Sequence, residues 1–185
     1  SGNVIVRIEP DRAGEFSVAL RIPRWCADPE ISVNGERIGE AIRRGTFHAI
    51  RRTWKQGDRI ELKMPMPWRF IKGRQAQAGK VAILRGPVVF GLDPSRDKQL
   101  QGILLGTITL DTSSIEGPLP DSTVRPDGMA CKIRAWRPGA WYPNAKPSLE
   151  LYLTELPDPK SEAIYFHVPN PIARELSDDE LFTQP

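Results

Sequence analysis

The sequence predicts an all-β, antiparallel fold: a jelly-roll-like β-sandwich, built as one body or as two small β-subdomains. Three observations lead there. Apolar residues recur with period two in several stretches, the pattern of strands wet on one side. Asn34-Gly35 sits between two such stretches, and that pair tolerates the positive φ values of a two-residue hairpin turn. Prolines number 18 in 185 residues, about twice the ~5% average, a density that breaks helices and suits strand ends and turns.

Taken in order, residues 3–9 form a first strand. Phe16, Val18, Leu20 and Ile22 then share one face of the next, with Ser17, Ala19 and Arg21 on the other. Pro23 ends that strand, and Trp25 and Cys26 follow as an apolar corner. The turn at Asn34-Gly35 pairs Val33 with Glu36 and Ile31 with Ile38, which keeps Ile31, Val33 and Ile38 on one face. Lys55 to Asp58 is a polar turn in which Gly57 takes positive φ, joining a strand that ends near Trp54 to one with Ile60, Leu62 and Met64 inward. "KVAILRGPVVFGL", residues 80–92, reads as a buried strand, a Gly-Pro break and a second apolar stretch. Further strands are expected at 103–110, 129–136, 149–153 and 162–168. Composition shifts at "DPSRDKQLQG", residues 93–102, which puts a domain boundary there: a sandwich over 1–95 and a second β-rich subdomain over 96–185. Residues 111–128 read as a long turn-rich loop, and "IARELSDDELF", residues 172–182, is the best helix candidate.

Several function classes recede at once. A net charge of +3, with basic residues only in short clusters such as Arg43-Arg44, Arg51-Arg52 and Lys72-Gly73-Arg74, makes no nucleic-acid stripe. The longest apolar runs are too short for a membrane-spanning helix. Two cysteines, Cys26 and Cys131, leave room for one disulfide at most, and no Cys-x-x-Cys or Cys/His cluster accompanies them. Nucleophile-elbow, P-loop and dinucleotide signatures are missing. Histidines 48 and 167 each fall in a strand, on what reads as its polar face. The acids lie in turns (Asp28, Asp58, Asp93, Asp158) or on polar faces (Glu61, Glu150), and no pair stands out as the two carboxylates that glycoside hydrolysis needs. No catalytic residue, metal ligand or cofactor site is therefore assigned. The aromatic residues are the remaining candidates. Trp25 and Trp54 adjoin strand ends and should cover the core. Trp136 lies on the opposite strand face from Met129, Cys131 and Ile133, which makes it a surface or interface residue. Trp141-Tyr142, in "RPGAWYPNAKP", can stack on a sugar ring or pack against another domain.

"FSVALRIPRW", "ISVNG", "GTFHAIRRTWKQGDRIELKMPMPWR" and "VAILRGPVVF", in this order over residues 15–92, resemble the β-rich C-terminal region of the β-L-arabinofuranosidase-like proteins, glycoside hydrolase family 127. The resemblance implies a longer parent in which a catalytic α/α barrel precedes the β regions and holds a cysteine-rich zinc centre with a glutamate and a cysteine nucleophile. None of those motifs maps onto this chain, so Cys26 inherits no catalytic role and is expected to pack. The Ser-Gly start fits a cleavage scar and hence a piece of a longer protein. The expectation is a non-catalytic accessory domain that braces the barrel, its principal partner. The alternative is a carbohydrate-binding module using Trp136, Trp141 and Tyr142. Neither nucleic acid nor membrane is an expected partner.

Overall fold

The structure is a computed structural model that describes residues 2–156 and 158–178. It is all-β: among the described residues the helical segments are single 3-10 turns, and no helix is long and apolar enough to cross a membrane. The chain divides into two compact units, 1–67 and 68–185.

The first unit contains β1 (Asn3–Ile8), β2 (Gly14–Arg21), β3 (Glu30–Val33), β4 (Glu36–Arg37), β5 (Phe47–Trp54) and β6 (Asp58–Lys63). These form a four-stranded sheet, β1-β6-β3-β4, and a two-stranded sheet, β2-β5. Both sheets feed one core: Leu20 and Trp54 from the small sheet meet Ile8, Ile31, Val33, Ile60 and Leu62 from the large one, with Ile22 just beyond β2. Trp54 is fully buried, and its indole N–H donates to the Phe16 carbonyl at 3.0 Å, so the ring brings no unpaired polar group into the core. The hairpin turn forms as expected, with φ of 52° at Asn34 and 87° at Gly35, and Val33 opposite Glu36. The Asn34 side chain also ties this turn to the next one. Its amide donates to Asp58 Oδ1 at 2.9 Å, and its oxygen accepts the Arg59 N–H at 2.9 Å. Asp58 accepts the Lys55 N–H as well, and these bonds hold its carboxyl below the ordinary range.

The second unit contains β7 (Trp68–Lys72), β8 (Lys80–Arg85), β9 (Val88–Leu92), β10 (Thr109–Leu110), β11 (Glu116–Pro120), β12 (Met129–Trp136), β13 (Leu149–Glu155) and β14 (Phe166–His167). Pairing runs β8-β9-β13-β12-β10-β14 and returns to β8, a closed six-stranded barrel, while β7 and β11 flank β8 and β12. The ring closes at β8 because its first residues take β14 (Phe166 opposite Val81) and its last take β9 (Phe90 opposite Ile83). Alternate residues fill the interior: Cys131, Ile133 and Ala135 from β12, and Leu149, Leu151 and Leu153 from β13.

This arrangement corrects four expectations. The jelly-roll-like sandwich does not describe the second unit, whose sheet closes on itself. The boundary lies at 67/68 rather than near 95, because β8 and β9 hydrogen-bond within the second unit, β9 with β13. The stretch 111–128 is not all loop, since Glu116–Pro120 pairs with β12, its prolines lying on a flanking strand. Of the proposed helix at 172–182, residues 172–178 form turns and a bridge from Ser177 to Ile71, and the rest lies outside the described residues.

Candidate functional site

The β12–β13 connection carries the predicted aromatic pair. It is pinned at both ends, by Ala140 N–H to the Arg137 carbonyl at 2.9 Å and Ser148 N–H to the Ala135 carbonyl at 3.0 Å. Trp136 is not on the surface: only 7% of it is exposed, and its indole N–H donates to the Ala145 carbonyl at 3.1 Å. Alternation placed it correctly on the face opposite Cys131 and Ile133, but the loop folds back over that face. Trp136 thus acts as a post for the loop and is unavailable to a ligand. Trp141 and Tyr142 do reach solvent, 40% and 64% exposed. The structure therefore separates the three candidates into one buried support and two exposed rings.

A second constellation escaped the sequence reading. Arg96 sits among three aspartates drawn from separate loops: Nε lies 3.2 Å from Asp93, Nη1 3.5 Å from Asp121 and Nη2 3.3 Å from Asp158. Each carboxylate has further donors. Ser95 gives Asp93 its N–H and hydroxyl, Tyr152 gives Asp121 its hydroxyl at 2.9 Å, and Thr154 gives Asp158 its hydroxyl at 3.0 Å. Burial pushes the Asp93 carboxyl up, but the Ser95 bonds and the Arg96 charge outweigh it and the net shift is downward. Asp121 follows the same balance, with Thr123, Tyr152 and Arg96 outweighing burial. Burial, followed by the bond to Asp121, raises the Tyr152 phenol. The local signal for Asp93–Arg96 was legible, an Asp-Pro-Ser-Arg turn with ions three apart. Asp121 and Asp158 arrive from remote loops and carried no such signal. Nearby in type, Arg125 clasps the buried Glu155 with two bonds of 2.6 and 2.8 Å, and Glu155 also accepts the Met129 N–H.

Chemically these groups are braces. A glycosidase general acid needs a carboxyl with a raised pKa, whereas Asp58, Asp93 and Asp121 are all shifted down. Both cysteines are buried and unbridged. Burial raises the Cys26 thiol and pushes Cys131 up to about 12, the reverse of a nucleophile. Cys26 closes a turn with its N–H on the Pro23 carbonyl, the packed corner that was expected. His48 departs from the reading as a polar-face residue. It stands opposite Leu20 on the core side of β5, and its Nε2 is buried, 3.8 Å from Glu40. Among the described residues no group of three His, Cys, Asp or Glu is disposed to hold a metal. Among the described residues, one cleft of about 550 Å³ lies beside Asp28, Glu30 and Glu40, and another of about 470 Å³ lies between Val88, Val124 and Leu156. Neither is lined by Trp141 or Tyr142.

Residues 1–66 match the family model of the β-L-arabinofuranosidase GH127 middle domain. Among solved structures, the chain is similar to a GH127 β-L-arabinofuranosidase from Geobacillus stearothermophilus T6, with 30% identity and a TM-score of 0.71 over 90% of this chain and 28% of that one. A structure described as a glycoside hydrolase matches at 23% identity with a TM-score of 0.69, covering 91% of this chain and 30% of that one. A GH127 β-arabinofuranosidase matches at 18% and 0.70, covering 96% and 31%. The last two bear on the fold alone. The chain spans less than a third of the length of each structure. No curated protein matches it. Over residues 1–66 the chain thus resembles the GH127 middle domain, which corrects the region: the matching model is the middle domain, not the C-terminal part.

Proposed function

We propose that this chain is a non-catalytic β region of a longer GH127-type protein and that it braces that protein's catalytic α/α-barrel domain. The observation that carries the reading is the middle-domain match over residues 1–66, in a chain that covers 28% of a GH127 β-L-arabinofuranosidase. The site chemistry agrees: the resolved carboxyl shifts are downward, and both thiols are buried with raised pKa. The test is turnover of aryl β-L-arabinofuranosides and a panel of other aryl glycosides by the purified chain, beside Cys26→Ala. No turnover is expected from either. Turnover that vanishes in Cys26→Ala would overturn both the accessory role and the packing role of Cys26.

A second reading, carbohydrate binding, is favoured by the exposure of Trp141 and Tyr142 on a loop pinned at both ends. It predicts retardation of the chain in gels containing arabinan, lost in Trp141→Ala and Tyr142→Ala. Equal mobility with and without the polysaccharide would dismiss it.

A further inference from the structure

The sheet formed by β2 and β5 buries one face in the core of the first unit and turns the other to solvent. On the outward face, Arg21 stands opposite Phe47, Ala19 opposite Ala49 and Ser17 opposite Arg51. All six residues are exposed, Phe47 by 68%. A large aromatic ring so open, beside a floor of two alanines, is not what a solvated sheet face requires. Arginines lead the charge at its end of the face, Arg21 beside the ring and Arg43 and Arg44 in the turn, while Glu40 lies 3.8 Å from the inward-facing His48. The carboxylate on this face is Glu15, towards the other end, and Arg51 already engages it at 3.4 Å. At the Phe47 end, the exposed Arg43 and Arg44 lead into the turn that delivers β5.

That end is also held in place. Ile22 N–H donates to the Thr46 carbonyl and Gly45 N–H to the Ile22 carbonyl, each at 2.9 Å, while the Thr46 hydroxyl closes on the Arg43 carbonyl at 2.8 Å. Arg21 Nη1 donates to the carbonyls of Ile22 and Thr46, and its guanidinium lies 5.4 Å from the centre of the Phe47 ring. A guanidinium carries five N–H donors, so an arginine fixed through one nitrogen keeps donors for a carboxylate. Ordered arginine beside an exposed aromatic ring is the composition of an interface anchor, and little side-chain freedom is left to lose on binding.

We propose that this face is a docking surface for a carboxylate-rich protein partner, which covers Phe47 and the Ala19–Ala49 floor and pairs its acids with Arg21, Arg43 and Arg44. A nucleic acid would call for a longer basic stripe with several stacking rings, and a sugar would call for a ring face that the Arg21 guanidinium does not overlie. The proposal does not depend on the accessory reading.

The experiment uses the whole chain and a fluorescein-labelled peptide of alternating Glu and Leu, followed by anisotropy. Saturable binding is expected, weakening as salt screens the charges. Phe47→Ser and the pair Arg43→Glu/Arg44→Glu should each weaken it by at least ~tenfold, the scale of an interface hot spot. The charge-matched pair Lys98→Glu/Lys160→Glu, at exposed lysines of the second unit, should leave it unchanged. Unfolding midpoints verify that each variant is folded, and Arg43 and Arg44 lie in an exposed turn where substitution spares the core. Absence of binding, an equal loss in the lysine pair, or an unaffected Phe47→Ser would overturn the proposal. So would tighter binding of a DNA oligonucleotide or polygalacturonate through the same arginines.

Discussion

Replacing Arg96 with Gln tests whether the three-aspartate cluster is a brace. The substitution keeps most of the stem and removes the charge. Breaking a buried ion pair from one side typically costs ~3–5 kcal/mol, because an uncompensated charge remains. Two features place this case lower. The guanidinium contacts are 3.2 to 3.5 Å, longer than the ~2.7–2.9 Å of the strongest charge-assisted bonds, and the Arg96 side chain is 24% exposed. Ser95, Tyr152 and Thr154 also continue to donate to the carboxylates. The expected loss is ~2–3 kcal/mol at neutral pH, or about 8–12 °C at ~4 °C per kcal/mol for a unit near this size. The pH dependence has a definite sign. Asp93 and Asp121 titrate lower in the folded chain than in the unfolded one, so their contribution is present above the unfolded value of ~3.9 and is lost as pH falls through the folded values. Arg96 acts on their charged forms, so the gap between parent and variant should narrow below pH ~4. Calorimetry at pH ~7 and ~3.5 measures both. A loss under ~0.5 kcal/mol, the range of ordinary surface changes, or a gap that does not narrow in acid, would refute the reasoning.

Other outcomes follow from the same structure. Trp136→Ala should cost ~3–5 kcal/mol as a buried ring that posts the loop, whereas Trp141→Ala and Tyr142→Ala should stay within ~0.5 kcal/mol; chemical denaturation of the three variants distinguishes them. Asn34→Ala should cost ~1–2 kcal/mol from positive φ and the lost side-chain bonds, and Asn34→Gly, which relieves only the φ penalty, should recover part of it in thermal melts. Neither thiol should react with a disulfide reagent in the folded chain at pH ~8, and both should react in denaturant; rapid labelling of folded protein would contradict the burial of Cys26 and Cys131.

What could be read in the sequence was local. Asn34-Gly35 specified its turn and register because two residues contain the whole rule. β12 and β13 were legible because Cys131, Ile133, Leu151 and Leu153 alternate, and alternation also put Trp136 on the right face. Whether a loop returns to cover that face depends on contacts nine residues away, Trp136 to Ala145, which periodicity does not encode. The boundary failed for the same reason. Pro65-Met66-Pro67 was a local break, but the compositional shift after Leu92 was the louder signal, and β9 belongs to the second unit only through its pairing with β13. The Arg96 cluster spans loops up to 62 residues apart, beyond any spacing rule.

The closure of the second unit on Phe166 sets a schedule for its birth on the ribosome. β8 is complete early, but its first residues lack one neighbour until Phe166 arrives, roughly 85 positions after Val81. At translation rates of ~5–20 residues per second that interval lasts about 4–17 s, during which the buried Val81 at the start of β8 waits unpaired on that side, while Ile83 already faces Phe90 of β9. Contacts of such long separation also slow folding itself. A nascent chain of this kind gains from a chaperone, or from a preceding folded domain that shelters the open strand, and truncation before β14 should send the unit to aggregates rather than to a smaller soluble core.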